Sequence, residues 1–175
     1  VLTGHGPLGQ LYPTNTTHWQ KEGDSGTFLY LVPSGMNDSL QPGWGSWAGR
    51  HGPRDDPAGR NYFWANQPDS WNGATNRDNS LRRWAGHLQN DFRARLDWCV
   101  KPFSEANHRP KAIVNGTREG IPIIEARPGS RVELSAEGPT DPDNNNIVYN
   151  WELYPEAGTY RGSATLNGPT TKTPS

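Results

Sequence analysis

The periodicity of this 175-residue sequence changes near Pro110, and that change limits what the chain can fold into. Before it, the text is rich in Trp, Gly and Arg and ends in one long helical pattern. After it, short β-type segments alternate with turns at Pro128-Gly129-Ser130, Gly138-Pro139-Thr140 and Asp141-Pro142-Asp143-Asn144-Asn145-Asn146. A 3.6-residue period and a two-residue period cannot share one regular element, so two regions with separate packing are expected.

Roughly Thr75 to Val100 reads as the best helix. Leu81, Trp84, Ala85, Leu88, Phe92, Leu96 and Cys99 follow steps of three and four and mark one apolar face. Thr75 is the expected cap and Pro102 the stop. Cys99, the single cysteine, reads as a small buried hydrophobe on that face. Residues 1–60 read as loops, and Gly4-His5-Gly6-Pro7-Leu8-Gly9 as no regular element, since Gly and Pro break both periodicities. Thr27 to Val32 is a buried strand or a short buried helix; its period does not decide. Beyond the linker, Lys111–Val114, Ile121–Ala126, Arg131–Ser135 and Ile147–Leu153 read as strands, with a weaker one near Thr159–Arg161.

Hydrophobic residues make up 31% of the chain and mean hydropathy is -0.91, which is lean for a compact core, although eight Trp and six Tyr each carry much apolar area. The 17 basic and 18 acidic residues are mixed along the chain, giving a net charge of -1. That balance makes no electrostatic case for a nucleic acid polymer or an anionic membrane as partner. No run approaches the roughly 18 apolar residues of a spanning helix. The chain starts Val1-Leu2-Thr3 without Met, as a processed or trimmed chain does. Three N-glycosylation sequons, at Asn15, Asn37 and Asn115, lean toward a secreted, extracellular protein.

Several groups invite chemistry. Glu22-Gly23-Asp24-Ser25-Gly26-Thr27 offers carboxylates and hydroxyls in a tight loop, the oxygen ligands that Ca²⁺ takes; a solvated turn with Asp24 capping the next element needs the same residues. His5 and His51 lie among Gly and Pro without a ligand-spaced partner. Trp44, Trp47, Trp64 and Trp71 stand amid Asn, Asp and Arg, where flat rings stack on sugars and polar neighbours bind hydroxyls; they also suit plain packing. Asp141 to Asn146 suits Ca²⁺ or a turn that needs no metal.

Pro128 to Tyr160 resembles the polycystic-kidney-disease type of immunoglobulin-like domain, on the Val132–Ser135 strand, the Asp141-Pro-Asp-Asn turn and the Tyr149-Asn-Trp151 strand. The order of Gly4-His-Gly-Pro-Leu-Gly9, Glu22-Gly-Asp-Ser-Gly-Thr-Phe28-Leu, Trp44-Gly-Ser-Trp-Ala-Gly-Arg50, Gln89-Asn-Asp-Phe92, Leu96-Asp-Trp-Cys-Val100 and Ala106-Asn-His108 resembles the end of the nucleoside-hydrolase-like domain of secreted microbial cellulose-binding proteins. Where that family tends to have Thr-Pro-Ser after the Asp, this chain has Ser25-Gly26-Thr27. The resemblance implies an α/β region over 1–106, as the C-terminal part of a hydrolase-like domain, then a partial immunoglobulin-like β-sandwich over 107–175. It implies a bound polysaccharide or small glycoside, with His5, Trp44, Trp47, Trp64 and Trp71 as ligand-binding residues. It implies Ca²⁺ as cofactor, with Asp24 as a ligand and Glu22 beside it. The alternatives are a Ca²⁺-dependent hydrolase of glycosidic or N-glycosidic bonds, completed by N- and C-terminal parts of a parent protein, and a non-catalytic scaffold.

Overall fold

The computed structural model describes residues 2–11, 26–65, 67–118 and 120–175. The chain divides into two compact units. The first comprises residues 1–100 with Glu156–Thr159, the second 101–155 with 160–175; the expected division was 106/107.

In the first unit, α1 (Gly6–Leu11) and α2 (Gly26–Leu31) precede two antiparallel hairpins, β1 (Gly52–Pro53) with β2 (Phe63–Trp64) and β3 (Asp69–Trp71) with β4 (Ala74–Asn76). Helices α3 (Asn79–Arg82) and α4 (Ala85–Trp98) follow. The α1 segment corrects the expectation of a loop at Gly4–Gly9. Pro7 falls in the first turn, where its missing N–H would have no partner in any case and its fixed φ suits a helix. This helix meets the end of α4 at Gly6, where a Cβ would lie 3.1 Å from a methyl of Val100, and it lies against the preceding chain at Gly9, where a Cβ would run into the Leu2 carbonyl. Leu8 and Leu11 are left exposed. The Thr27–Val32 run is mostly helix α2, and it is not buried: Phe28 and Leu31 are exposed.

The long helix expected from Thr75 is broken twice. Asn72 and Gly73 both have positive φ (54° and 79°), the pair of left-handed conformations that a tight two-residue hairpin turn demands. Thr75 therefore pairs with Ser70 in a strand. A turn at Arg83–Trp84 then separates α3 from α4. Leu96 is buried as its face predicts, but Cys99 lies past the helix end and is exposed, against expectation.

Few apolar side chains are buried here: Leu2, Ala48 and Leu96, against Ser46, Arg50, Asp69, Asn79, Ser80 and Asp97. Polar bonding does the work that apolar area cannot. Asp69 is wholly buried; one oxygen accepts from Arg50 Nε at 2.7 Å and the other from Arg83 Nη1 at 3.2 Å. Arg50 also donates to the Pro68 and Glu156 carbonyls, and Glu156 accepts from Ser70 N at 3.0 Å while lying 3.5 Å from Arg83. Two guanidinium groups and two carboxylates thus neutralise one another. The Asn79 amide bonds the carbonyls of Asp69, Trp71 and Ala74 and holds the hairpin to α3. Gly49, at φ 85°, lets the Arg50 loop lie against α3, because any Cβ would meet Ser80 Oγ at 2.6 Å.

The described residues of the second unit show no immunoglobulin-like sandwich. The two-residue alternation is present: Ile147, Tyr149 and Trp151 are half-buried, while Val148, Asn150 and Glu152 are exposed. The ladders are not. Leu134 N donates to Pro174 O at 3.0 Å and Ala136 N to Lys172 O at 2.8 Å, an antiparallel register, but Pro174 has no N–H to return. Trp151 donates its backbone N–H to the Pro169 carbonyl, another proline position, and its indole N–H to Thr171 O. Only single bridges form at Lys111↔Thr140 and Val114↔Thr117 among the described residues. The Asp141 loop is tied by its own hydrogen bonds: Asp141 accepts from the Asp143 and Asn145 N–H groups, and Asp143 accepts from His108 N and Nδ1 at 2.6 and 3.0 Å.

Two outcomes follow from these contacts. Asp69→Asn leaves two buried guanidinium groups short of a counter-charge and is expected to destabilise the protein by about 3 kcal/mol or more in urea unfolding. Second, the two His108 bonds hold the Asp143 carboxyl below the usual carboxylate range. A depressed folded value stabilises above the unfolded value, about pH 4, and that contribution is lost as pH falls through the folded value. His108→Phe keeps a ring against Phe103 and removes the side-chain donor. The acid transition of the 141–146 amide resonances is expected to move to higher pH; an unchanged transition would refute the assignment.

Candidate functional site

The β1–β2 hairpin is short, and one face of it carries aromatic and cationic side chains. Its register pairs Gly52 with Trp64 and Pro53 with Phe63, and Arg54 N donates to Tyr62 O at 2.8 Å, extending the pairing. Side chains alternate across a strand, so Gly52, Arg54, Tyr62 and Trp64 share one face, and Pro53 and Phe63 take the other. Gly52 offers no side chain opposite Trp64. Tyr62 and Trp64 stack with ring centroids 6.3 Å apart and planes 25° from parallel. The Arg54 guanidinium lies 5.5 Å from the Trp64 ring centre. Tyr62 is 46% and Trp64 45% exposed, so the rings offer a flat apolar surface to solvent.

The connecting loop is fixed by its own polar groups. Asp56 accepts from Ala58 N at 3.1 Å, Gly59 N donates to the Asp56 carbonyl, and Arg60 Nε lies 2.5 Å from the other Asp56 oxygen. Arg60 first, then the Ala58 N–H, holds the Asp56 carboxyl below its ordinary value, so the clasp is charged at neutral pH. Gly59 takes φ 66° to close the turn.

The other expected ligand residues are dispersed. Trp71, on the second hairpin, is exposed, while Trp44 and Trp47 are half-buried beside the fully buried Ser46. His5 sits between Gly4 (φ 100°) and Gly6 (φ 72°) and bonds Asp97 of α4, Nδ1 to Oδ1, at 2.8 Å. A carboxylate only accepts, so the proton lies on Nδ1 and Nε2 carries the lone pair when the ring is neutral. His51 packs edge-on to Tyr30 with centroids 5.2 Å apart; burial lowers its pKa, and Nδ1 is buried without a hydrogen bond.

Glu22 and Asp24, the expected calcium ligands, and Asn15 lie outside the described residues. Among the described residues, no group of three or more His, Cys, Asp or Glu could hold a metal ion. Asn37 is turned inward: its amide nitrogen donates to Tyr30 O and its oxygen accepts from Ser34. Asn115 is exposed at φ 49°, and its oxygen accepts from Ser135 N, leaving the amide nitrogen toward solvent. Sequence reading missed Arg54, Tyr62 and Asp97. The Tyr62-Phe63-Trp64 run was a usable signal for the hairpin face; nothing in the sequence links His5 to Asp97.

Comparison with curated proteins returned no match. Over 98% of its length the chain is similar to a solved structure, described as a nucleoside hydrolase-related hypothetical protein from Saccharophagus degradans that is associated with carbohydrate metabolism. The two are 31% identical with a TM-score of 0.72, and the chain spans 42% of that protein. Residues 1–51 match the family model described as cellulose-binding Sde182, nucleoside hydrolase-like domain, in agreement with the resemblance carried by the Gly4-His-Gly-Pro-Leu-Gly9 and Trp44-Gly-Ser-Trp-Ala-Gly-Arg50 motifs.

Proposed function

We propose that the chain is part of a secreted protein that binds plant cell-wall polysaccharide, cellulose among them, through the β1–β2 hairpin. The supporting observation is the exposed, near-parallel Tyr62–Trp64 pair. Solvent-facing rings that lose water against the apolar faces of sugar rings gain free energy without a conformational change, because the hairpin already holds them. The cellulose-binding description of the family that matches residues 1–51 supports the same reading. Trp64→Ala is expected to weaken retention on cellulose by roughly tenfold or more, and Trp44→Ala, at a half-buried ring, to change it little at equal folded fraction. Equal retention of Trp64→Ala and the parent chain in a depletion assay would sink the proposal.

A second reading, Ca²⁺-assisted hydrolysis of a glycosidic or N-glycosidic bond, draws on the His5–Asp97 pair. An imidazole oriented by a carboxylate is suited to proton transfer. In this reading a longer polypeptide supplies the rest of the site, with Asp24 and Glu22 toward the metal. His5→Gln in the longer protein is then expected to lower kcat on aryl-glycosides or nucleosides by about a hundredfold and to leave cellulose retention unchanged. No turnover by the metal-loaded parent on a broad glycoside panel would refute it.

A further inference from the structure

The aromatic face of the β1–β2 hairpin carries a charge that stacking on a neutral glucan does not use. Arg54 is exposed, and among the described residues it pairs with no carboxylate. Its nearest fixed partner is the Trp64 ring, which orients the guanidinium and cannot neutralise it. The other charges of the loop are accounted for. Arg60 and Asp56 satisfy each other, and Asp55, next to Arg54 in the chain, makes no ion pair with it. One surface therefore combines two rings, Tyr62 and Trp64, with one guanidinium whose fork is free for a ligand. An unpaired Arg beside stacking rings matches a planar carboxylate attached to a sugar ring: the ring lies on the aromatic face and the carboxylate takes two parallel N–H bonds.

We infer that Arg54, Tyr62 and Trp64 form a subsite for uronic-acid units, so that the preferred ligand is an acidic cell-wall polysaccharide. This rests on the binding role proposed above for the same hairpin. Gly52 has a defined part in it, since a side chain there would lie opposite Trp64 and compete with the sugar for the ring. The fixed 54–62 loop keeps Arg54 and Tyr62 in register before any ligand arrives.

The test measures the full chain and three variants by affinity electrophoresis against polygalacturonate and against the same polymer with its carboxyl groups reduced to alcohols. The parent chain is expected to bind the acidic polymer about tenfold more tightly than the reduced one, and the difference is expected to shrink as ionic strength rises. Arg54→Gln is expected to abolish the difference, by weakening binding of the acidic polymer about tenfold more than binding of the reduced one. Arg54→Lys, a point charge without the fork, is expected to keep part of it. Trp64→Ala is expected to weaken both. If the parent chain binds both polymers equally while Trp64→Ala weakens both, the acidic subsite is refuted and the aromatic platform stands. If Arg54→Gln keeps the full preference for the acidic polymer, the subsite is refuted too. If Trp64→Ala changes neither, both readings fall.

Discussion

The β3–β4 hairpin and the α3–α4 turn lean on one buried carboxylate, Asp69. It accepts from Arg50 on one side and Arg83 on the other, and Glu156 returns to share both guanidinium groups. Those contacts join the Trp44–Arg50 loop, the β3–β4 hairpin and the α3–α4 turn, three pieces too short to bury a common apolar core. A buried charge left alone is expensive, but a neutral set with its lone pairs and N–H groups occupied is tolerated and geometrically demanding. The demand is useful here. Six-residue helices and two-residue strands carry little stability of their own, so directional bonds, with Asn79 at the hairpin, fix what packing cannot.

The second unit shows the opposite case, in which the local pattern is right and the pairing is incomplete. Val132, Leu134 and Ala136 turn inward at alternate positions, as do Ile147, Tyr149 and Trp151. The N–H groups of Leu134, Ala136 and Trp151 find carbonyls in the Pro169–Pro174 segment, those of Pro174, Lys172 and Pro169. The prolines accept but do not donate, so the exchange of bonds that makes a ladder stops at half. Extended segments result, tied at points.

This contrast explains what could be read from the sequence. Two-residue alternation after Pro110 was legible, because side-chain periodicity is a local property. A sandwich was not, because strand pairing depends on which residues meet, and at Pro169 and Pro174 those were prolines. The apolar stripe ending at Leu96 was legible; its start was not, because Asn72-Gly73 favours a hairpin turn more strongly than Thr75 favours a helix cap. Pro7 misled the reading of Gly4–Gly9, since proline ends helices in their interior and starts them in their first turn. At the candidate site, Trp64 was legible as a residue type suited to sugars. Arg54 and Tyr62 become its partners only through the hairpin register. The Arg50–Asp69–Arg83–Glu156 set left no local trace, being drawn from positions 14 to 106 residues apart.

Helix α1 meets the end of α4 through Gly6 and leaves Leu8 and Leu11 exposed. Close backbone approach replaces apolar burial, so little free energy opposes separation of this one helix. It belongs among the segments that open without the rest of the unit unfolding, and its amides then exchange with solvent on a faster clock than those around Asp69. His5 immediately precedes it. The lifetime of the His5–Asp97 bond is thereby set by the docking of a six-residue helix, which makes the imidazole a movable part on an otherwise fixed frame.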